Sequence, residues 1–398
     1  MRKIFSIQNI SRTVILLSAV SLLNDVSSEM LIPVMPVYLQ SIGFTMAWIG
    51  ILEGMAEATA GLSKIYFGRL SDAMQVRMPF VRLGYLLSAF AKPVTGLFSN
   101  VTIIFSARTS DRLGKGIRTG ARDAMLSDES TPETKGAVFG FHRSMDTMGA
   151  AIGPALALVF LIFNPGNYKL LFLLAFIPAL VSVAFTFLVK EKKHLPKART
   201  QIPFFKTFLF PANSNAAFKK WMTALLVFAF INSSDIFLLL KAKSVLKDDT
   251  LVMGMYILYN LVYALCAFPL GRLADKVGLK NMLVAGYLIF VLVYGGMAMT
   301  ENKSIVIFLF AVYGIYNAAT DGISKAIISN ITPKHAVATA LGFFSGWSSI
   351  GVLFASVAAG FLWNDFHSPQ LTFLLSAGIT FLVAVYLWVQ PKIEVSKN

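Results

Sequence analysis

The sequence is poor in the residues that soluble chemistry relies on. It has one cysteine, Cys266, in 398 residues, which excludes a disulfide framework and a cysteine-based metal cluster. Four histidines are scattered without ligand spacing, so no metal is expected. There is no Ser/His/Asp set and no nucleotide-binding loop, and Gly114-Lys115-Gly116 is too short to cradle a phosphate. Neither an enzyme nor a cofactor is expected. Charge is also scarce, at 14% of residues, where soluble domains carry roughly a quarter.

Hydrocarbon takes the place of charge. Hydrophobic residues make up 56% of the chain, with 34 phenylalanines among them, and the mean hydropathy is +0.68. A spanning helix needs about 20 apolar residues. Apolar runs, cut at Gly, Pro and charge clusters, predict twelve spans: 13–39, 45–67, 79–98, 101–127, 136–163, 168–189, 219–241, 250–271, 280–299, 303–329, 336–363 and 369–390. The first run, Thr13 to Leu39, is too long for a cleavable signal and contains Asp25 and Glu29. It is read as the first spanning helix.

The net charge of +15 is not read as a nucleic-acid signal. Lys and Arg gather at the N-terminus (Arg2, Lys3, Arg12), after the second span (Arg69, Arg77, Arg82), in the stretch Lys190–Lys220, after the eighth span (Arg272, Lys276, Lys280) and at the C-terminus. The alternate loops are short and poor in charge, except Lys241–Asp249, which is mixed in sign. The positive-inside rule then places both termini and the linker in the cytoplasm. A multi-pass protein of the cell inner membrane is expected, monomeric and in contact with lipid. Its expected divisions are an N-terminal six-helix bundle over 1–189, a linker over 190–218 and a C-terminal bundle over 219–398.

The two halves repeat. Gly68-Arg69-Leu70-Ser71-Asp72 returns as Gly271-Arg272-Leu273-Ala274-Asp275, 203 positions on. Thr131-Pro132 returns as Thr332-Pro333 after 201, and Gly140-Phe141 as Gly342-Phe343 after 202. A constant offset at three separated places means duplication, and repeated membrane halves are what many secondary transporters rock about a central site.

On these residues the sequence resembles the major facilitator superfamily over essentially its whole length. Gly68 to Asp72 is similar to that superfamily's signature between helices 2 and 3, and Gly271 to Lys280 is similar to its second copy. Arg108 to Gly116 aligns with the helix 4 signature, with Asp111 and Arg112 standing where it has Gln and Gly. Pro132 to Gly136 with Gly140 resembles the entry to helix 5. Gly149-Ala150-Ala151-Ile152-Gly153-Pro154 resembles the antiporter signature of helix 5, with Ala157 and Leu158 in place of its trailing Gly pair. The resemblance implies an all-α fold of twelve transmembrane helices in two pseudo-symmetric six-helix bundles. It implies alternating access and a helix 1 that borders the central cavity.

The pieces also have physical readings of their own. Gly68 and Gly271 are expected to end a helix and permit a tight turn. Asp72 and Asp275 lie near helix termini and either latch one face shut or serve as solvated loop acids. Gly149 and Gly153 allow close helix approach and Pro154 a bend, as a gate or as ordinary packing.

Helix 4 is the most informative segment. At about 100° per residue, Arg108, Asp111, Arg112, Lys115, Arg118, Arg122 and Asp123 fit within an arc of about 140°. A charge facing lipid at mid-depth costs at least ~2.5–3.5 kcal/mol, so this face must meet protein or water. A salt-bridge ladder is expected for Arg108, Asp111 and Arg112, and cavity lining for Arg118 and Arg122. Matching acids share faces at i and i+4: Asp25 with Glu29, Glu53 with Glu57 (Lys64 beside them), and Asp146 with His142 beside Arg143. Asp25, Glu29, Glu53, Glu57 and Asp146 are candidate proton carriers, or permanent ion-pair partners of helix 4; His142 is a relay or a satisfied core residue. The second half offers Asp235 in helix 7, Asn260 in helix 8, and Asp321 with Lys325 in helix 10. It is expected to form more of the apolar wall.

The function expected is proton-coupled secondary transport of a small anionic or zwitterionic organic solute, since guanidinium groups suit carboxylate and phosphate. The alternatives are a proton-antiport multidrug exporter of amphiphilic cations, a siderophore or nutrient importer, and a non-transporting membrane receptor.

Overall fold

The computed structural model describes residues 10–32, 34–192, 208–209, 216–364 and 369–391. Most of the basic linker, and the basic residues nearest both termini, lie outside them. Among the described residues there are fourteen α-helices and no strand. In the first half these are α1 (Arg12–Glu29), α2 (Met35–Ser41), α3 (Met46–Met74), α4 (Met78–Leu97), α5 (Val101–Asp128), α6 (Lys135–Phe163) and α7 (Tyr168–Thr186). In the second they are α8 (Ala216–Ala229), α9 (Ile236–Leu246), α10 (Asp249–Val277), α11 (Leu279–Met299), α12 (Lys303–Ile331), α13 (Val337–Asn364) and α14 (Pro369–Val389).

Fourteen helices stand where twelve were expected because spans 1 and 7 are each broken, at equivalent places. The first stops at Glu29 and resumes at Met35, and the second stops at Ala229 and resumes at Ile236. Pro36 opens the first turn of α2, where a missing N–H costs nothing. Asn232-Ser233-Ser234, residue types of low helix preference, occupies the second break, where the Ser234 N–H donates to the Ser356 hydroxyl at 3.0 Å and Asn232 to the Tyr316 hydroxyl at 3.4 Å. Asp235 is therefore not within a helix 7, as expected, but is the N-cap of α9. Lys241–Leu246, expected in a loop, belongs to α9; Lys241 is buried and donates to Glu301 at 2.6 Å.

The duplication extends to the caps. Asn100 accepts from the backbone N–H groups of Thr102 (2.9 Å) and Ile103 (3.3 Å) at the start of α5. Asn302 does the same for Ser304 (2.9 Å) and Ile305 (3.4 Å) at the start of α12.

Among the described residues, seven helices are long and apolar enough to cross a membrane by composition alone: α6, α7, α10, α11, α12, α13 and α14. The charged α3 and α5 and the broken first span lie in the first half. Asp25 and Glu29 of α1 and most of the charges of α5 face the space between the halves, and large apolar side chains such as Leu292, Leu382 and Trp388 are exposed on the outside.

Helices of the two halves meet mainly as α3 on α13 and α6 on α10. These contacts lie toward the end of the bundle that carries the linker. There, backbones cross so closely that a Cβ on Gly68 would meet Ala338, and one on Gly271 would meet Gly136. Gly68 and Gly271 thus lie inside α3 and α10 and do not end them. The turns that follow are made by residues of positive φ, Gln75 (φ 52°) and Gly278 (φ 98°). At the far end, a Cβ on Gly54 or Gly254 meets nothing within 4 Å.

Candidate substrate cavity

This asymmetry leaves a cavity of about 500 Å³ between the halves, within the usual range for small-molecule sites. It is sealed at the linker end. Asp275 accepts from the backbone N–H groups of Gly136 and Ala137, both at 2.8 Å, and so caps α6. Asp72, paired with Arg77 at 2.5 Å, accepts from the Thr339 N–H in the first turn of α13 at 2.5 Å. Between them the hydroxyls of Ser127 and Ser329 touch, and buried Lys135 donates to Ser127 and to the Ser329 carbonyl, each at 3.0 Å. Both signature acids therefore bridge the halves as helix caps.

The first-half wall is built on α5. Of the seven charged residues placed on one arc, six line the cavity and Asp123 is buried behind them. Arg108 makes a two-pronged bond to Glu53, 2.9 Å on each arm, and lies 3.6 Å from Asp111. Arg112 pairs with Glu57 at 3.2 Å. This is the expected ladder; Glu53 and Glu57 stand outside the cavity lining as its acids. Arg118 lies over the Tyr85 ring at 4.5 Å and donates to Ser88 at 2.7 Å. Lys92, buried on α4, donates to the Ser88 carbonyl at 3.1 Å. Lys64 reaches Ser349 at 2.8 Å, and Lys115 is exposed toward the cavity.

Deeper, a network crosses between halves. Asp123 holds Arg122 and Lys325, both at 2.9 Å. Arg122 also donates to Ser21 at 3.1 Å, and the Ser21 hydroxyl lies 3.0 Å from both Tyr85 and His142. His142 is buried, with its Nε2 on the Ser21 hydroxyl. Arg143 pairs with Asp146 at 2.6 Å and Asp321 at 2.7 Å and donates to the Tyr263 hydroxyl at 2.5 Å. The Asp25 carboxyl faces that of Asp146, and Glu29 lines the cavity one turn on.

The helix 5 signature does not reach across halves. Gly149 and Gly153 let α6 approach α1, where an added Cβ would lie 2.6 Å from the Leu22 carbonyl and 2.7 Å from that of Val26. α6 runs through Pro154 without a break.

The second-half wall is not the apolar surface expected. It presents Tyr256, Tyr259, Tyr263, Tyr287 and Tyr316, with Asn260 between them. Asn260 donates to the Tyr256 carbonyl at 2.9 Å. Asp235 is outside the lining, held by the hydroxyls of Tyr259 (3.1 Å) and Tyr313 (2.7 Å). The tyrosines had a signal, since 256, 259 and 263 fall on one helical face.

The sequence profile described as Major Facilitator Superfamily matches residues 17–257 and 243–398. An uncharacterized MFS-type transporter of Methanocaldococcus jannaschii is 34% identical over 388 residues, covering 96% of this chain and 95% of that one. Among solved structures, the human organic anion transporter MFSD10 (TETRAN) superposes with a TM-score of 0.83 at 15% identity, covering 94% of this chain and 99% of that one. The E. coli fucose:proton symporter FucP gives 0.74 at 13%, covering 95% and 98%. These two likenesses are of fold.

Proposed function

The chain belongs to the major facilitator superfamily, and from that premise we propose that it moves a small organic anion across the inner membrane by proton-coupled alternating access. The observation that carries the anion is the charge of the cavity: nine basic side chains line it against five acidic ones. A solute that enters meets a cationic wall in a site screened from bulk water, where charge interactions are stronger than in solution. With the basic linker end in the cytoplasm, the cavity faces outward.

Proton coupling rests on the facing carboxyls of Asp25 and Asp146 with Glu29 nearby. Two carboxylates in one water-poor site resist ionising together, and this pair adjoins both the first helix break and the Arg143 bridge between halves. Protonation there is coupled to substrate through Arg143.

The test is a thermal-shift screen of organic anions on purified protein, followed by flux into proteoliposomes with and without a pH gradient. Arg118→Ala should weaken anion binding by about tenfold or more, the ~1.5–3 kcal/mol of a charge-assisted hydrogen bond. Unchanged binding and flux in that variant for every anion found would remove the anion reading. Flux indifferent to the gradient would remove the coupling. The tyrosine wall with Glu29 supports a second reading, export of aromatic cations, and broad drug resistance in an overexpressing strain would favour it.

A further inference from the structure

We propose that the cavity is built for an organic dianion, with one oxyanion group on Lys64 and Lys115 and the other on Lys92 and Arg118, either side of α5. This rests on the organic-anion reading and narrows it.

The placement follows from how α5 is packed. At Gly116 it lies against α3, where an added Cβ would come within 3.2 Å of the Lys64 backbone nitrogen. At Gly114 it lies against α4, where one would come within 2.5 Å of the Gly84 carbonyl and 3.1 Å of the Ser88 hydroxyl. Lys64 on α3 and Lys92 on α4 therefore flank the same helix, which itself supplies Lys115 and Arg118 one turn apart. All four line the cavity.

Every other cation on the wall already has a carboxylate. Arg108 has Glu53, Arg112 has Glu57, Arg122 and Lys325 have Asp123, and Arg143 has Asp146 and Asp321. These four form no ion pair among the described residues. Lys64 has only the Ser349 hydroxyl, and Lys92 only the Ser88 carbonyl. Arg118 has the Ser88 hydroxyl, the Gly84 carbonyl at 3.4 Å and the Tyr85 ring. The Lys115 ammonium makes no hydrogen bond among the described residues; its backbone carbonyl accepts from the Thr119 hydroxyl at 2.6 Å.

The acids that face them are held elsewhere or do not touch. Glu57 faces Lys64 but is held by Arg112, and Asp111 faces Lys92 but lies 3.6 Å from Arg108. Asp25 and Glu29 face Lys115 from α1 without contact.

Two pairs of like charge on a protein wall repel each other more than they would in water. One oxyanion at each pair relieves that repulsion. Arg118 offers the planar fork that suits carboxylate or phosphate, and the three lysines offer mobile point charges. Across the cavity, Tyr256 and Tyr259 provide aromatic area for the body joining the two groups.

The test uses the full chain, purified, with α,ω-dicarboxylates from succinate to sebacate, the matched monocarboxylates, and inorganic phosphate as probes. Affinity is read by thermal shift and by competition. A dicarboxylate of optimal length should bind about tenfold or more tighter than its monocarboxylate, a second charge-assisted contact. Lys115→Gln removes a side chain that is exposed to the cavity, so folding should survive; it should erase that margin, leaving the dicarboxylate bound no tighter than its monocarboxylate. Lys115→Arg should restore it. Equal affinity for mono- and dicarboxylates at every length, or an unchanged margin in Lys115→Gln, overturns the dianion and leaves the anion reading standing. Binding of lipophilic cations with no anion bound would overturn both.

Discussion

Asp275 offers the clearest test of how the linker end stays shut. Its carboxylate accepts from two backbone N–H groups at 2.8 Å at the start of α6, across the interface between halves. A hydrogen bond to a charged group is worth ~1.5–3 kcal/mol, and a carboxylate at a helix N-terminus adds ~0.3–1 kcal/mol. Asp275→Asn keeps one acceptor oxygen and loses the charge. Because the residue is half-buried, the low end applies, about 1.5 kcal/mol, or about tenfold in the closed-to-open equilibrium. Ser329 is buried at the seal and serves as the reporter. In a Cys266→Ser, Ser329→Cys background, maleimide reacts only when that end opens, so the labelling rate follows the open population. Asp275→Asn should raise that rate about tenfold. Asp72→Asn, which unpairs Arg77 and takes the charge from the acceptor at the Thr339 N–H, should raise it at least as much. Glu133→Gln, an exposed acid at the same end, should leave it unchanged. A rate unaltered in both Asp variants, or raised equally by Glu133→Gln, would refute the latch.

Two further outcomes follow from the packing and the carboxyl pair. Gly140→Val, whose Cβ would lie 2.5 Å from the Ala267 carbonyl, should lower the melting temperature and speed Ser329→Cys labelling, while Gly54→Val, facing open space, should do neither; equal effects would contradict the closed linker end. Asp25→Asn should abolish accumulation driven by a pH gradient yet spare solute exchange between equal pH compartments, and retained accumulation would move the proton site elsewhere.

The duplication was legible because three motifs shared one offset, and the structure adds the Asn100 and Asn302 caps and the Ser127–Ser329 contact to the same register. The helix 4 arc was legible because lipid excludes charge so strongly that periodicity alone assigns the face. Run-length reading could not show the breaks in the first and seventh spans, since the residues on either side of each remain apolar. The deciding signals were local, Pro36 in one and Asn232-Ser233-Ser234 in the other. Lys92 was overlooked because a single lysine in an apolar run reads as tolerable. Its burial beside Ser88 depends on α4 crossing α5 at Gly114, a tertiary fact. The tyrosine stripe was overlooked because tyrosine is grouped with the hydrophobic residues when apolar runs are read, although its hydroxyls hold Asp235 and Asp321.

The charges that cross between halves pose a physical problem for alternating access. Opening the linker end must part Lys325 from Asp123 and Arg143 from Asp321, and a buried charge left alone is costly. Each partner has a second one within its own half. Asp123 keeps Arg122, Arg143 keeps Asp146, and Asp321 and Lys325 stand at i and i+4 on α12. The two carboxylates on Arg143, at nearly equal distances, should therefore act with opposite sign. Asp321→Asn removes the bond that crosses the halves and should favour opening. Asp146→Asn removes the partner that Arg143 needs once Asp321 has left, and should favour closure. Breaking a buried pair costs ~3–5 kcal/mol; Arg143 is 33% exposed at its side chain, so about 1–2 kcal/mol, or several-fold to about tenfold, is expected in each direction. In the Ser329→Cys reporter, labelling should speed in the first variant and slow in the second. A change of the same sign in both would mean that Arg143 is a static strut, and that the halves exchange conformations without trading ion-pair partners.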